Sequence, residues 1–364
     1  MIAPPVEGPV VAPLRLATRR SALAMAQSRQ VGEQLAALTG RPLQLVEVTS
    51  QGDVDPAPLT QIGGTGVFVV AVRQAVVDGR ADVAVHSLKD LPTAADARLR
   101  IAAIPRRADP RDALVARDGA GLSDLPSGAR IGTGSPRRRA QIVAVRPDVE
   151  VVDIRGNVDS RMARVIGSPS SADHGATDSV GDLDAVVLAA AGLARLGRQA
   201  SITETIDPEQ VMPAPGQGAL AVEVRADLDP DLGVDTSATA LTAALRRLDD
   251  PRSRAAVAAE RSLLAALEAG CSAPIGALAA IEDGPEPTVH LRAVLARPDG
   301  SLVHMSSSGP IEQAELIGRR LAGDLLAGTH GVADRAAMTG PITDRGPTTA
   351  TGPVTAGGPI TAHR

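Results

Sequence analysis

The sequence contains no tryptophan or tyrosine, and it has one residue each of phenylalanine (Phe68), lysine (Lys89) and cysteine (Cys271). A single cysteine excludes an internal disulfide, and no uninterrupted apolar run reaches the roughly 18 residues that a membrane-spanning helix needs. The first residues lack the basic stretch and apolar core of a signal peptide. These absences favour a cytoplasmic protein without a membrane partner.

The charge and the length of the chain indicate further which classes of protein are excluded and how many domains to expect. The net charge of −5 argues against a nucleic-acid-binding protein with a dominant basic surface. Of the 37 basic residues only one is lysine, so arginine supplies nearly all of the positive charge. The six histidines are scattered and form no Cys/His cluster, so we expect no metal site. A length of 364 residues predicts two or three domains.

Apolar runs alternate with helical patterns, which predicts an α/β fold with mostly parallel sheets and helices on both faces. Two such sets are followed by three successive strands and a covering helix, which indicates a small α+β domain. The predicted strands are 14–18, 43–49, 81–85, 99–104, 113–116, 130–133, 149–154, 185–189, 219–224, 275–281, 289–296 and 301–307. The predicted helices are 21–38, 67–77, 136–145, 158–166, 238–268 with an interruption near Pro251, and 312–326. Residues 168–182 are typical of a mobile loop, and the Pro/Thr/Gly repeats of 331–364 are typical of a disordered tail.

The first two sets share a weak internal repeat. Residues 15–18 (RLAT) and 130–133 (RIGT) each end a predicted strand just before a helix. Such a turn offers free backbone N–H groups and the positive end of a helix dipole, which suits an anion. Two similar lobes would form a cleft at the carboxyl ends of their strands. Four matched positions leave a true duplication open.

Many arginines follow predicted strands. Because arginine binds carboxylates bidentately, this array suits a small ligand with several carboxylates. Ordinary surface charge is the alternative, since arginine here replaces lysine almost everywhere. The arginines in question are Arg19, Arg20, Arg137, Arg138, Arg139, Arg155, Arg161 and Arg195.

Two further segments contain candidate chemistry. A buried strand runs into His86-Ser87-Leu88-Lys89-Asp90, and in extended backbone the last two side chains would point in opposite directions. One could face a ligand while the other braces the site, and a solvated turn is the alternative. Cys271 follows an apolar helix and Gly270, and a lone cysteine of this kind is more often an inert buried thiol than a nucleophile.

Together these segments resemble the hydroxymethylbilane synthase (porphobilinogen deaminase) family. The matching stretches run in family order from about residue 14 to 280. They are LRLATRRSALAMAQ (14–27), ADVAVHSLKDLP (81–92), ADPRDA (108–113), IGTGSPRRRAQ (131–141), DIRGNVDSR (153–161), AAGLARLG (190–197), PGQGA (215–219) and ERSLLAALEAGCSAPIG (260–276).

The resemblance implies two lobes like those of periplasmic solute-binding proteins and a small α+β third domain. It divides the chain into a leader (1–12), a first, catalytic lobe (13–105 and 209–228), a second, arginine-rich lobe (106–208), a third domain (229–330) and a tail (331–364). A dipyrromethane cofactor would be attached to Cys271 by a thioether. The reaction implied is the stepwise head-to-tail condensation of four porphobilinogen molecules into linear hydroxymethylbilane with release of ammonia, in tetrapyrrole and haem biosynthesis.

The same resemblance assigns roles to the candidate residues. Asp90 and Lys89 match the catalytic pair, and a fixed carboxylate can stabilise the cation that forms on deamination. The other residues implied to bind the cofactor are Cys271, Thr133, Ser135, Arg137, Arg138, Arg155 and Gly156. Those implied to bind the carboxylates of porphobilinogen and the oligopyrrole intermediates are Arg19, Ser21, Arg155, Arg161, Arg195 and Gln217. The family implies a monomer without nucleic-acid or membrane partners.

The sequence departs from the family pattern at a few positions. Thr65 stands where the family commonly has lysine, which puts one anionic contact in doubt, while Phe68 keeps a nearby aromatic position. Gly134 replaces a frequent serine, and Ala269 a frequent glycine. A solute-binding protein would share the lobes but would not need Cys271 or the third domain. A non-catalytic relative that only binds ligand would be expected to lose Asp90 or the arginines.

Overall fold

The computed structural model of the chain describes residues 11–48, 67–166, 181–228, 236–267 and 274–327. The described strands are β1 Leu14–Arg19, β2 Leu43–Val48, β3 Val83–Ser87, β4 Leu99–Ala103, β5 Asp112–Ala116, β6 Arg130–Gly132, β7 Glu150–Val152, β8 Ala185–Ala189, β9 Glu204–Thr205, β10 Leu220–Arg225, β11 Ile275–Glu282, β12 Thr288–Ala296 and β13 Leu302–Pro310. The described α-helices are α1 Ala22–Thr39, α2 Val67–Val77, α3 Pro136–Val145, α4 Val158–Ile166, α5 Ala190–Arg195, α6 Thr236–Leu248, α7 Pro251–Ala266 and α8 Ala314–Ala327.

Two five-stranded sheets share one topology. The first has the order β2-β1-β3-β10-β4, and the second has the order β7-β6-β8-β5-β9. In each sheet the fourth strand is antiparallel to both of its neighbours, while the other strands run parallel. The chain crosses from the first lobe to the second between β4 and β5, and it returns between β9 and β10. The fold is therefore α/β with two lobes, as predicted.

Helices cover both faces of the first sheet, as the alternation of its strands requires. Leu14 and Leu16 pack in one apolar cluster with α1 and α6, whereas Ala17 faces α2 in another. The Oγ of Ser21 accepts a 3.3 Å hydrogen bond from the Ala24 N–H, and this N-cap starts α1. Ser135 caps α3 in the same way, ahead of a proline at the first helical position.

The third sheet is antiparallel, with the order β11-β12-β13. One face is covered by α7 and α8, whose Leu263 and Leu321 pack against Val289 and Leu291 of β12. The two helices lie very close, because a Cβ at Gly318 would overlap the backbone oxygen of Ala259. This sheet and its helices form the predicted small α+β unit.

Some predicted features differ from the structure or lie outside the described residues. The predicted interruption of the helix 238–268 near Pro251 is confirmed, since Asp250 caps α7 and Pro251 begins it, whereas α6 begins earlier than predicted, at Thr236. Residues 1–10 of the predicted leader, 168–180 of the predicted loop and the whole predicted tail, 331–364, lie outside the described residues. None of the described helices is long and apolar enough to cross a membrane.

Candidate active site

The candidate residues meet at one edge of each lobe. In the first lobe, β1 and β3 end at this edge and β10 begins there, which places Arg19, the turn after Ser87, and Gln217 together. In the second lobe, β6, β7 and β8 end at the corresponding edge and β5 begins there. Ligands of α/β sheets bind outside the carboxyl ends of the strands, and the topology brings the predicted residues to that place.

Lys89 and Asp90 lie on a single 3-10 turn, Leu88–Asp90, so the prediction of extended backbone for this pair was wrong. The turn forms because the Leu91 N–H donates back to the Leu88 carbonyl. The two side chains have different environments, since Lys89 is half-buried and Asp90 is exposed. No described residue donates a hydrogen bond to the Asp90 carboxylate, which leaves its oxygens available to a ligand.

The Lys89 ammonium group donates a 3.2 Å hydrogen bond to Oε1 of Gln217. Burial lowers the pKa of Lys89 to about 8. The charge of Asp90 opposes this shift, and the charge of Arg138 adds to it. At neutral pH the lysine therefore keeps its proton, with less margin than an exposed lysine has.

A tight turn carries Gln217 between two glycines. Gly216 and Gly218 have φ values of 75° and 86°, which other residues rarely adopt. A Cβ at Gly218 would also lie 2.6 Å from the backbone oxygen of Ala108, so the close approach needs glycine. Arg195 of α5 donates a 2.7 Å hydrogen bond to the Gly218 carbonyl from the second lobe. Burial lowers the pKa of Arg195 to about 10, so it stays charged at neutral pH.

Arg137 and Arg138 are both buried, with 4% and 6% of their surface exposed. Each forms an ion pair with Asp112, at 2.9 and 2.8 Å. Arg137 also donates to the Met212 carbonyl, and Arg138 donates to the Val187 carbonyl at 2.9 Å. The Nε of Arg138 is buried, and no described residue accepts a hydrogen bond from it; the same holds for the Nε of Arg195.

Sequence reasoning missed Asp112. It lies within the matching stretch ADPRDA, and it begins a strand whose other residues are apolar and buried. A charged residue in such a strand needs a charged partner, and that was the available signal. Its partners are not near it in sequence, so the signal could not identify them.

The remaining candidates of the second lobe follow strands β6 and β7, whose carboxyl ends lie at the same edge. The Thr133 hydroxyl is buried and accepts a 3.2 Å hydrogen bond from the Ser135 N–H. Arg155 is exposed after β7, and Gly156 follows it with φ 103°. Arg161 donates a 2.9 Å hydrogen bond to the Gly156 carbonyl. Burial lowers the pKa of Arg161, and the charge of Arg138 lowers it further.

Helix α7 contacts both lobes through Glu260 and Arg261, two residues to which the sequence analysis assigned no role. Glu260 is fully buried and forms an ion pair with Arg107 at 2.6 Å. Glu260 also accepts hydrogen bonds from the Gly216 N–H at 2.6 Å and the Ala279 N–H at 2.8 Å. Arg261 donates to the backbone carbonyls of the segment that contains Lys89 and Asp90, namely those of Leu88, Leu91 and Pro92.

Three predictions concern residues outside this description. Cys271 and Thr65 lie outside the described residues. Phe68 lies in α2, but its side chain is not among those described. The role of Cys271 therefore stays a prediction.

The fold and this site define a class: two-lobed α/β proteins with an arginine-rich site where the lobes meet. A family model described as "Porphobilinogen deaminase, dipyromethane cofactor binding domain" matches residues 14–232, and a second one, "Porphobilinogen deaminase, C-terminal domain", matches residues 255–327. The chain belongs to the porphobilinogen deaminase family.

Curated relatives agree over most of the chain. "Porphobilinogen deaminase 1" of Streptomyces coelicolor is 53% identical over 325 residues, covering 86% of this chain and 95% of that protein. "Porphobilinogen deaminase" of Micrococcus luteus is 52% identical over 328 residues, covering 86% and 87%. The predicted family is confirmed.

Solved structures with a similar arrangement are remote. A TRAP periplasmic solute-binding protein from Ochrobactrum anthropi has a TM-score of 0.36 and 10% identity, covering 67% of this chain and 77% of that one. Immunogenic lipoprotein A from Vibrio vulnificus has a TM-score of 0.32 and 12% identity, covering 65% and 100%.

Proposed function

We propose that this chain joins four porphobilinogen molecules head to tail into linear hydroxymethylbilane and releases one ammonia molecule for each porphobilinogen. The observation that carries the proposal is the meeting of an exposed carboxylate with an arginine-rich edge of the opposite lobe. This carboxylate belongs to Asp90 and accepts no hydrogen bond from the described residues. Each pyrrole of the product has an acetate and a propionate, so the growing chain is polyanionic. An array of arginines with one catalytic carboxylate matches that chemistry.

The residues present fit the dipyrromethane cofactor that the family implies. The buried Nε of Arg138 has no partner among the described residues, and such a donor suits a bound carboxylate. When bound through Cys271, the dipyrromethane supplies the pyrrole position to which the first substrate is joined. The residues that would hold it are Lys89, Asp90, Thr133, Ser135, Arg137, Arg138, Arg155 and Gly156.

Substrate carboxylates would be held by the remaining residues of the two edges. Arg161 and Arg195 are partly desolvated cations, which bind carboxylates more strongly than exposed ones do. Arg19 and Ser21 lie where β1 turns into α1, at the positive end of a helix dipole. Arg155 serves cofactor and substrate in turn, and Gln217 contributes its backbone turn and its contact with Lys89.

Asp90 and Lys89 have different roles in the proposed reaction. The Asp90 carboxylate stabilises the cation that forms on the substrate when ammonia leaves, and it accepts a hydrogen bond from the pyrrole N–H. Lys89 braces the site through Gln217, and its positive charge adds to that of the arginines that hold ligand carboxylates. Because Asp90 accepts no hydrogen bond from the described residues, its oxygens are available to the pyrrole N–H groups of a ligand.

In the proposed organisation, the chain forms two lobes and one further domain. Residues 13–105 and 209–228 form the catalytic lobe, 106–208 the arginine-rich lobe and 229–330 the cofactor-bearing domain. Helix α6 extends from the last of these onto the first sheet. The protein acts as a monomer in the cytoplasm, on porphobilinogen and oligopyrrole intermediates, without nucleic-acid or membrane partners.

Replacement of Cys271 by alanine tests the proposal. The purified wild-type chain should have an intact mass increased by one dipyrromethane and should convert porphobilinogen to hydroxymethylbilane. The Cys271→Ala variant should have the unmodified mass and no activity, with an unchanged melting temperature. A covalent dipyrrole on that variant would refute the attachment site, and a wild-type protein that binds porphobilinogen without releasing ammonia would refute the function.

A further inference from the structure

A series of polar contacts connects the two lobes through Asp112, Gln217 and Lys89. It begins at Asp112, whose side chain is fully buried at the start of β5. Burial alone would raise the pKa of Asp112, but the charges of Arg137 and Arg138 outweigh it and hold the pKa well below its usual range. Asp112 is therefore a permanent negative charge between two buried arginines.

Gln217 extends this contact to the first lobe. Its Nε2 donates to Asp112 Oδ1 at 2.7 Å and to the Pro110 carbonyl at 2.7 Å. Both acceptors lack a proton to donate, so the amide nitrogen must face them. The Gln217 oxygen then faces Lys89, which donates to it at 3.2 Å. The orientation of one buried amide is thus fixed from both sides.

We propose that Asp112 is a positioning residue for the reaction, because it directs the guanidinium groups of Arg137 and Arg138 and, through Gln217, places the Lys89 ammonium group beside Asp90. This inference rests on the proposed function. Asp112 has no exposed surface, so it acts through these groups and not by touching substrate.

The chain offers an unusually clean probe of this network, since Lys89 is its single lysine. A short pulse of acetic anhydride at a series of pH values, followed by peptide mass spectrometry, reports the titration of that one side chain, with the amino terminus as an internal reference. Besides burial, the charged groups that act on Lys89 are Asp90 and Asp112, which raise its pKa, and Arg138 and Arg137, which lower it. Removal of the Asp112 charge therefore lowers the midpoint of Lys89 labelling.

The test compares Asp112→Asn with a matched control, Asp82→Asn. Asp82 also forms ion pairs with two arginines, Arg15 at 2.6 Å and Arg41 at 2.8 Å. It directly precedes β3 and therefore lies at the end of that strand opposite to Lys89 and Asp90. In the holoenzyme, Asp112→Asn should lower the Lys89 midpoint by at least half a pH unit and reduce kcat at least tenfold. Asp82→Asn should change the melting temperature without changing the midpoint or kcat.

Two outcomes overturn the proposal. One is a folded Asp112→Asn variant with the wild-type midpoint and kcat. The other is an equal change of both quantities in Asp82→Asn. If Asp112→Asn does not fold, Gln217→Met keeps the buried ion pairs and removes the hydrogen bond from Lys89 to Gln217. Because that bond stabilises the charged lysine, the Lys89 midpoint should fall in this variant, and an unchanged midpoint would overturn the proposal. The labelling needs no activity, so a wild-type chain that makes no hydroxymethylbilane would refute the proposed function and leave the network testable.

Discussion

Replacement of Asp90 by asparagine should separate chemistry from folding. The Asp90 side chain is exposed at the end of its 3-10 turn and accepts no hydrogen bond from the described residues. Substitutions at such positions change the free energy of unfolding by about 0.5 kcal/mol or less. The loss of a preorganised charge beside a developing one costs on the order of 10²–10³ in rate, or about 2.7–4 kcal/mol. We therefore expect a large loss of kcat at an unchanged melting temperature.

The neighbouring lysine requires a control, because the charge of Asp90 raises the pKa of Lys89. In Asp90→Asn that pKa falls below about 8, so part of the lysine loses its proton near neutral pH. The rate should therefore be measured from pH 6 to pH 9. A loss caused by the missing carboxylate persists at every pH, whereas a loss caused by neutral Lys89 is recovered at pH 6.

Two further variants complete this experiment. Asp90→Glu keeps the charge one methylene further out and should retain more activity than Asp90→Asn. Asp227→Asn removes an exposed carboxylate of the same lobe, paired with Arg225 at 3.1 Å, and should leave the rate unchanged. Near wild-type turnover by Asp90→Asn, recovery of its rate at pH 6, or a loss that follows unfolding would refute the catalytic assignment.

Two other carboxylates, those of Glu260 and Glu223, are buried, and their replacement should change the free energy of unfolding, unlike that of Asp90. Glu260→Gln leaves Arg107, whose side chain is 10% exposed, without its charged partner, so urea unfolding should show a loss of about 3–5 kcal/mol; a loss below about 1 kcal/mol would contradict the role given to this pair. Glu223 pairs with Arg73 at 2.7 Å and His86 at 3.1 Å, and although burial opposes the shift, these partners lower its pKa from 4.5 to about 2. The ionised Glu223 carboxylate contributes to the free energy of unfolding above pH 4.5, and this contribution is lost as the pH falls through 2. Across that range the free energy of unfolding of the wild-type chain should fall by on the order of 3 kcal/mol more than that of Glu223→Gln. Equal decreases in the two proteins would contradict the assignment of this pKa shift to Glu223.

Local signals were sufficient for the longer elements of the fold. The predicted bounds of α3, 136–145, are those observed, because Ser135 and Pro136 form a cap that can be recognised from neighbouring residues. The two-residue strand β9 and the six-residue helix α5 were missed. Helix α5 has no side-chain cap, and β9 is held by its pairing with β5, which lies about 90 residues earlier.

The candidate site shows the same division. The motif stretches brought Lys89, Asp90, Arg137 and Arg138 into consideration, and the topology places them at facing edges. What they could not show is that both arginines are buried against one carboxylate, because Asp112 lies 26 residues from Arg138 and 105 from Gln217. Long-range pairing of charges is decided by the packed fold and leaves no local pattern.

The place of β10 in the first sheet determines the order in which the two lobes obtain all their strands during synthesis on the ribosome. The second lobe has all five of its strands once Thr205 has been synthesised, although it begins later in the chain. The first lobe must wait for Leu220–Arg225, because β10 separates β3 from β4, and β4 pairs with no other described strand. A nascent chain that stops between these points has all the strands of the arginine-rich lobe, but it lacks the strand that pairs with both β3 and β4 in the first sheet. Unpaired strand edges of this kind are prone to aggregation.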